Sequence, residues 1–532
     1  MTDLTVSAGS PSTGSPILRN NAAAAKRRQQ RHRANARFRA YGLAAIALAV
    51  SFLAAILVDI FVKAMPAFTQ STLKLDVPVT SEFIDAANLR AGDYDGAVRS
   101  ALRSLFPAST TKADRKVIAS LVSGSAGEPL QARVMANPAL IGQTLSANVL
   151  LSSDGDLYAK GLTAVVETAA GAVALKPSDV SGQVTLDMPA GALDKLLAGV
   201  RLAKNAEGGI EFNSTTPSLL IAVNGGMVRL TSLAANRALG ETLIPLISAD
   251  AAAAGTWRAL LVKTPEGERK IADRQIAYVE ALKGKNLIGS RFNTAFFLRG
   301  DSREPELAGI LGGLMGTAYT MLITLGLCLP IGLGAAMYLE EFAPRNRLTH
   351  IIEVNINNLA AVPSIVFGLL GLAIFLNVFG LPRSSPLVGG LVLALLVLPT
   401  IIIASRAALK SVPPSIREAA IGVGATKQQA VFHHVLPVAM PGIMTGTIIG
   451  MAHALGETAP LLMIGMVAFI TDVPKSPLEA ATVLPVQIFL WSDLPEAGFQ
   501  SKTAAAILVL LAFLILMNGL AIWLRTKFER RW

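Results

Sequence analysis

The chain has 532 residues, of which 52% are hydrophobic and only 16% are charged, and its mean hydropathy is +0.51. This composition excludes a typical soluble protein, because the apolar residues are concentrated in long runs, and it predicts an integral membrane protein. The single cysteine, Cys328, lies inside one of those runs, which excludes an intrachain disulfide and a cluster of thiolate metal ligands.

The net charge of +11 is unevenly distributed along the chain. Residues 1–40 carry eight Lys or Arg against one acid, whereas residues 66–300 carry 24 against 21. A basic stretch directly before an apolar run is typical of a cytoplasmic anchor at an anionic membrane surface, so it favours a membrane over a nucleic acid as partner. We therefore expect no nucleic-acid partner and predict that residues 1–40 form a disordered basic arm in the cytoplasm.

The first apolar run covers residues 41–62. It is long enough to cross a ~30 Å hydrocarbon core, and it exceeds the ~7–15 apolar residues of a signal peptide. We predict that residues 41–65 form an uncleaved transmembrane helix whose basic flank stays in the cytoplasm.

Residues 66–300 have the mixed charge and short alternating runs of a water-exposed α+β domain. The apolar alternation on either side of Asn224-Gly225 predicts a β-hairpin over 218–232, and helical periodicity appears at 94–106, 113–122, 191–204 and 271–283. If the first span leaves the cytoplasm, this insert is extracytoplasmic. Its acidic residues show no clustering that indicates a metal site or a catalytic pair, so we assign it no chemistry.

Residues 301–532 contain five further apolar runs, at 308–338, 354–379, 387–405, 442–470 and 503–524. With the first run they predict six transmembrane helices. Lys and Arg flank alternate ends of these runs, which places both termini in the cytoplasm of a multi-pass membrane protein. The predicted fold is therefore a membrane all-α core with an α+β extracytoplasmic insert between helices 1 and 2.

The loop over 411–440 has the pattern of a helical hairpin. Ser415 with Glu418, and Thr426 with Gln429, are spaced as capping boxes that open two short helices. Gly424 between them can adopt the left-handed conformation that ends the first helix, while Pro437 and Pro441 are expected to end the second. The residues alone leave two readings open: a docking hairpin for a partner or a solvated loop.

The order Glu418-Ala419-Ala420, Gly424, Leu436-Pro437 resembles the EAA loop of the membrane subunits of ABC importers, except that His434 occupies a position that is usually apolar. Residues 358–368 (NLAAVPSIVFG), 398–402 (LPTII) and 455–460 (LGETAP) resemble the PstA family of phosphate importer permeases, in an extended form with an N-terminal insert. The resemblance covers about residues 292–532. It implies a type I importer fold and coupling of the loop to an ATPase.

The same resemblance implies partners, which are a second, PstC-like permease, a PstB-like ATPase dimer, and a PstS-like periplasmic phosphate-binding protein. It also implies that this chain lies in the bacterial inner membrane. The chain contains no Gly-x-x-x-x-Gly-Lys-Ser/Thr phosphate loop, so we expect ATP and magnesium to bind a partner and this chain to bind no cofactor or metal. We expect no enzyme activity and no catalytic residues, because no nucleophile, base and orienting group are arranged together in the sequence.

Three charged residues are candidates for the translocation pathway. Ions inside a bilayer are costly and usually line a pathway or pair with each other. His453 and Glu457 lie one turn apart on one face of the fifth span, near its middle, where they form either a gate or a self-satisfied pair that fixes packing. The family commonly has Arg at the position of His453. Arg406, at the inner end of the fourth span, is the third candidate, with a snorkelling anchor as the alternative.

The sequence thus predicts the permease subunit of an ATP-driven phosphate importer. One alternative is a permease for another oxyanion, such as molybdate or sulfate. The other is a membrane sensor whose external domain detects phosphate or the state of the envelope.

Overall fold

The computed structural model describes residues 16–189, 191–197, 200, 209–234, 236–466 and 469–528. Contacts divide the chain into two units, residues 1–62 and residues 63–532. The first unit is formed by helix α1, which runs over Pro16–Ala64. The prediction of a disordered arm is wrong for residues 16–40, which are helical; alanines and long straight side chains there favour a helix. Residues 1–15 lie outside the described residues.

The insert is an α+β domain, as predicted. Its described helices are α2 (Tyr94–Ser104), α3 (Lys112–Ala119), α4 (Glu128–Ala136), α5 (Ser153–Ala159), α6 (Asp194–Leu197), α7 (Asp273–Gly284) and α8 (Thr294–Leu298). Its described strands are β1 (Thr69–Pro78), β2 (Thr144–Leu150), β3 (Val166–Ala170), β4 (Lys176–Pro177), β5 (Gln183–Asp187), β6 (Ile210–Glu211), β7 (Ser218–Val223), β8 (Gly226–Leu233), β9 (Arg237–Ile244), β10 (Arg258–Val262) and β11 (Ile288–Phe292). Of the helix predicted over 191–204, residues 191–197 and 200 are described, and within them only α6 is helical.

The strands form two antiparallel sheets. The smaller has the order β11-β1-β2, and the larger has the order β3-β10-β7-β8-β9-β5-β4, with β6 beside β8. The predicted hairpin is confirmed: β7 pairs with β8, and Asn224 and Gly225 have φ angles of 45° and 72°. These positive values are those of the two-residue turn that matches strand twist, which is why Asn-Gly predicts it well. Buried Tyr278 and Trp257 lie in the two apolar clusters that fill the domain.

The remaining described helices form the membrane core, and their bounds are α9 (Leu311–Met337), α10 (Arg347–Ala360), α11 (Ser364–Gly371), α12 (Pro386–Lys410), α13 (Pro414–Gly422), α14 (Lys427–Ala430), α15 (Leu436–Gly456), α16 (Ala459–Met463), α17 (Leu484–Ser492) and α18 (Ala497–Phe528). Short π-helical segments extend α9 to Phe342, α11 to Val378 and connect α14 to α15.

Six membrane spans are present among the described residues if a bent pair counts as one. Five helices are long and apolar enough to cross a bilayer: Arg27–Phe68, Leu311–Phe342, Pro386–Lys410, Lys427–Gly456 and Ala497–Lys527. The sixth is the pair Arg347–Ala360 and Ser364–Val378, which meet at an angle of 100°. The predicted continuous third span is therefore wrong, because Pro363 cannot continue the α10 hydrogen-bond ladder and disfavours a helical conformation of the residue before it.

Two other predicted boundaries are corrected. The fifth span ends at Gly456 instead of continuing to residue 470, and the chain then forms the short α16. Pro437 and Pro441 do not end a helix. Pro437 lies in the first turn of α15, directly after the π-helical segment that connects it to α14, and Pro441 is inside the same helix.

Glycines allow the central helices to approach closely. A Cβ atom added at Gly446 of α15 would lie 2.2 Å from the Cβ of Ala404 in α12. One added at Gly390 of α12 would lie 2.6 Å from Ile323 in α9. Close backbone contact through small residues is the usual way in which membrane helices associate. These contacts make α9, α12 and α15 the rigid centre from which the hairpin projects.

Candidate functional site

The hairpin predicted over 411–440 is formed by α13 and α14. Gly424 has a φ of 92°, and its amide donates to the carbonyl of Ile421 at 2.9 Å, which ends α13 as predicted. The capping box of α14 is also confirmed: Thr426 N donates to Gln429 Oε1 at 2.9 Å, and Gln429 N donates to Thr426 Oγ1 at 3.3 Å. The cap predicted at Ser415 is wrong, because α13 begins with Pro414 and Ser415 is already inside its first turn.

The hairpin exposes an apolar surface. Glu418 and Ala419 are exposed, as are Ile421, Val423 at 86% and Phe432. A groove of about 510 Å³ lies beside them, and it is lined by Ile416, Ala419, Ala420, Val423, His434 and Val438. Exposed apolar groups in one patch are typical of a surface that binds another protein. Leu436 and Pro437 are partly buried at the start of α15, where they fix the return of the chain.

Arg417 attaches this hairpin to the core, although the motif did not single it out. Its Nη2 lies 2.6 Å from Oε1 of Glu341, a buried carboxylate at the end of the second span, and its Nε lies 3.1 Å from the same oxygen. It also donates to the carbonyls of Leu409 and Val412 at 2.9 and 2.8 Å, just where α12 ends. One guanidinium therefore joins the hairpin to α9 and α12.

Arg406 lies near the end of α12, as predicted, and is ion-paired. Its Nη2 lies 2.7 Å from Oε1 of Glu353 in α10 and 3.6 Å from Oε2 of Glu340 after α9. Its side chain is 24% exposed. These two ion pairs connect the second, third and fourth spans. The adjacent acids Glu340 and Glu341 were the signal that sequence reasoning could have used, since each binds a different arginine.

His453 and Glu457 are in contact: His453 Nε2 lies 2.8 Å from Glu457 Oε1. The prediction that they lie near the middle of the fifth span is wrong. His453 is in the last turn of α15, and Glu457 follows it with an extended backbone. His453 is 56% exposed and Glu457 is 20% exposed. The structure does not bring this pair together with Arg406. Helices α12 and α15 are antiparallel, so Arg406, near the end of α12, lies beside the start of α15, whereas His453 and Glu457 are at its end.

Within the described ranges no three His, Cys, Asp or Glu side chains are grouped so that they could hold a metal ion. Cys328 is buried, and its thiol donates to the carbonyl of Ala394 at 3.2 Å. The expectation that this chain binds no cofactor stays an expectation.

Comparison with known proteins assigns the core. Residues 329–532 match the family described as binding-protein-dependent transport system inner membrane component, and residues 25–166 match a domain of unknown function. The phosphate transport system permease protein PstA 1 of Mycobacterium tuberculosis is 32% identical over 44% of this chain and 76% of its own length. The phosphate transport system permease protein PstC of Haemophilus influenzae is 32% identical over 40% of this chain and 73% of its own length.

Among solved structures, an inward-facing MetNI methionine ABC transporter is 18% identical, covering 40% of this chain and 95% of that one with a TM-score of 0.34. The six spans and the anchored hairpin define a permease subunit of an ABC importer. The chain belongs to the family of binding-protein-dependent transport system inner membrane components, and within it to the group of the phosphate transport permeases PstA and PstC.

Proposed function

We propose that this chain is one of two permease subunits of an ATP-driven inorganic phosphate importer in a bacterial inner membrane. The single observation that carries the permease role is the hairpin, which has an exposed apolar surface and is attached through Arg417 to two spans, by a partly buried ion pair to Glu341 and by hydrogen bonds to the end of α12. The choice of phosphate is supported by relatives named as phosphate transport permeases at about one-third identity.

The proposed mechanism is alternating access. A PstB-like ATPase dimer contacts the hairpin at the exposed Glu418 and Ala419, whereas Ala420 is buried, and closure of the dimer on ATP moves α13. The movement passes through Arg417 to the ends of α9 and α12 and rocks the spans around a passage shared with a PstC-like permease. A PstS-like protein delivers phosphate on the side of the insert, and both termini are cytoplasmic.

His453 and Glu457 are proposed to line this passage. They lie at the end of α15 away from the hairpin, so in this topology they face the side from which phosphate enters. An exposed His beside a carboxylate can donate a hydrogen bond to a phosphate oxygen while the carboxylate orients the ring. Arg406 is proposed to act from the opposite end, where its two carboxylate partners hold it in place.

Coupling to ATP has a physical reason. An inside-negative potential opposes anion entry by about 2.3 kcal/mol per charge per 100 mV, so divalent phosphate meets about twice that barrier. A passive pathway would therefore lose phosphate from the cell.

The test is uptake of labelled phosphate by cells that lack this chain and are complemented with wild type or with Glu457→Gln, with sulfate and molybdate as competitors. We expect saturable uptake that the competitors do not reduce and that Glu457→Gln loses. Competition by either oxyanion would identify a different substrate. Wild-type uptake in cells without the chain would favour the sensor.

A matched pair of glycine variants tests the hairpin in the same assay. Gly424 and Gly422 both have open space around an added Cβ, but only Gly424 has a positive φ. Gly424→Ala should destabilise the hairpin turn by about 1–2 kcal/mol and lower uptake, because a side chain disfavours that conformation. Gly422→Ala should keep uptake at the wild-type level, and equal loss in both variants would contradict the coupling role.

A further inference from the structure

Among the described residues the insert contacts the core through Lys270, which donates to the carbonyl of Pro495, and through two closely packed areas. On the insert side these are the turn at Ser123-Gly124 with the adjoining α4, and helix α5. On the core side they are residues 301–306, which lead into α9, and the first turn of α18. The contacting residues are far apart in sequence, so these contacts depend on the tertiary fold.

The first contact is built around Glu304. Its Oε2 accepts hydrogen bonds from Ser123 Oγ at 2.8 Å and from Gly124 N at 3.2 Å. An added Cβ at Gly124 would lie 2.1 Å from the other carboxylate oxygen, so no side chain fits there without moving Glu304. Within the insert, Arg299 Nη2 lies 2.6 Å from Glu128 Oε2 of α4, which holds the residues just before the core against the same segment.

The second contact is between α5 and α18. A Cβ added at Gly498 would lie 2.4 Å from Ser153 Oγ and 2.7 Å from Pro305 Cβ. Beneath it, the buried Lys502 donates to the carbonyl of Ala308 at 2.8 Å and lies 4.9 Å from the centre of the Phe296 ring.

A small polar void lies inside this second contact. It measures about 20 Å³, and its lining includes Asp156, Lys160, Glu306 and Lys502. Lys160 also donates to the carbonyls of Pro66 and Thr69, which fixes α5 to the start of the insert. A void of this size has room for about one water molecule. The two surfaces are therefore closely packed, with no solvent layer on which they could slide.

We propose that the insert is fixed to the ends of α9 and α18 and moves with them as one body. A molecule that binds the insert outside the membrane would therefore restrain or release these two helices without entering the translocation pathway. Charged and hydrogen-bonded contacts on two separate segments resist both rotation and separation of the insert. The proposal rests on the permease role but does not depend on phosphate being the substrate.

A disulfide across the second contact tests this inference. Ser153→Cys with Gly498→Cys is made in a Cys328→Ala background, which removes the chain's other cysteine. Bonded cysteines need Cβ atoms about 3.5–4.5 Å apart, which the close approach of Ser153 and Gly498 allows. The assembled complex in membranes is oxidised with and without Mg-ATP, and substrate uptake is compared before and after reduction. Each single-cysteine variant is the control.

We expect the disulfide to form at the same rate with and without Mg-ATP and uptake to be equal in the oxidised and reduced states. Slower formation with Mg-ATP, or uptake that oxidation abolishes and reduction restores, would show that the insert swings and would overturn the proposal.

If Gly498→Cys does not assemble against Pro305, Gly124→Cys with Glu304→Cys probes the first contact. Absence of cross-linking at both contacts would also overturn the proposal, because it would mean that the surfaces are apart. A wild type that imports no phosphate would count against the proposed substrate instead, since the rate of cross-linking needs no knowledge of the substrate.

Discussion

Arg417 joins three parts of the core with one side chain. It is the residue immediately before the Glu-Ala-Ala sequence, and its guanidinium reaches the carboxylate of Glu341 and two carbonyls at the end of α12. A planar fork with five donors can satisfy all of these acceptors, whereas a lysine ammonium cannot. Displacement of α13 therefore acts on α9 and α12 together, and it does so through a partly buried ion pair.

We predict that Arg417→Ala uncouples ATP hydrolysis from transport. Hydrogen bonds to a charged group contribute about 1.5–3 kcal/mol each, and several are lost at once while Glu341 is left buried and unpaired. The ratio of substrate transported to ATP hydrolysed in proteoliposomes should fall. Lys410→Ala, which removes an exposed cation seven residues away, is the control.

The charge-exchanged variant distinguishes a transmission role from a folding defect. Arg417→Glu combined with Glu341→Arg should recover part of the transport ratio that either single change loses. If Arg417→Ala keeps the wild-type ratio, or if the exchange restores protein yield but no coupling, the hairpin transmits movement by another route.

At the scale of helices and strands, the sequence alone predicted the features that depend on residues close together in the chain. The β7–β8 hairpin and the capping box of α14 depend on a few adjacent residues, and both were predicted correctly. The bend between α10 and α11 was missed, because Pro363 indicates a break but its angle is set by packing against α12 and α16. The Arg417 contact was missed for the same reason: its partner Glu341 is 76 residues away.

The crossing of α12 and α15 gives a prediction at this scale. Gly446→Val should prevent normal packing, because its Cβ would overlap that of Ala404, and overpacking a core typically costs about 1–3 kcal/mol. A Cβ atom added at Gly334 in α9 would meet nothing within 4 Å, so we expect Gly334→Val to be tolerated. The measurement is the yield of monodisperse complex after solubilisation. Equal yields of both variants would contradict the close approach.

At the scale of the whole molecule, the buried carboxyl group of Glu306 lies at the contact between the insert and the core. Burial raises the pKa of Glu306 to about 7, and the nearby Glu304 and Asp156 add to the effect, while hydrogen bonds from the backbone and from Ser123 oppose it. Protonated Glu306 is therefore the form that the folded contact favours. Its contribution to stability is complete below the ordinary pKa of 4.5 and is lost as pH rises through about 7.

We predict that Glu306→Gln flattens this pH dependence. The thermal midpoint of the purified complex should decrease between pH 5 and pH 7.5 more in wild type than in the variant, since glutamine keeps the shape of the carboxylic acid but does not titrate. Glu128→Gln, at an ion pair that is about half exposed, is the control. An identical slope in wild type and Glu306→Gln would show that this carboxyl is already ionised in the folded protein.

The bent third span also has a consequence for the lipid. Residues 364–378 rise at most about 22 Å along their axis, which is short of a ~30 Å hydrocarbon layer. Acyl chains beside this helix must compress, or the amphipathic α10 must sink into them, and either adjustment thins the low-dielectric layer locally. The rate of transport should therefore depend on bilayer thickness, because lipids with longer acyl chains strain this span more than the five longer spans.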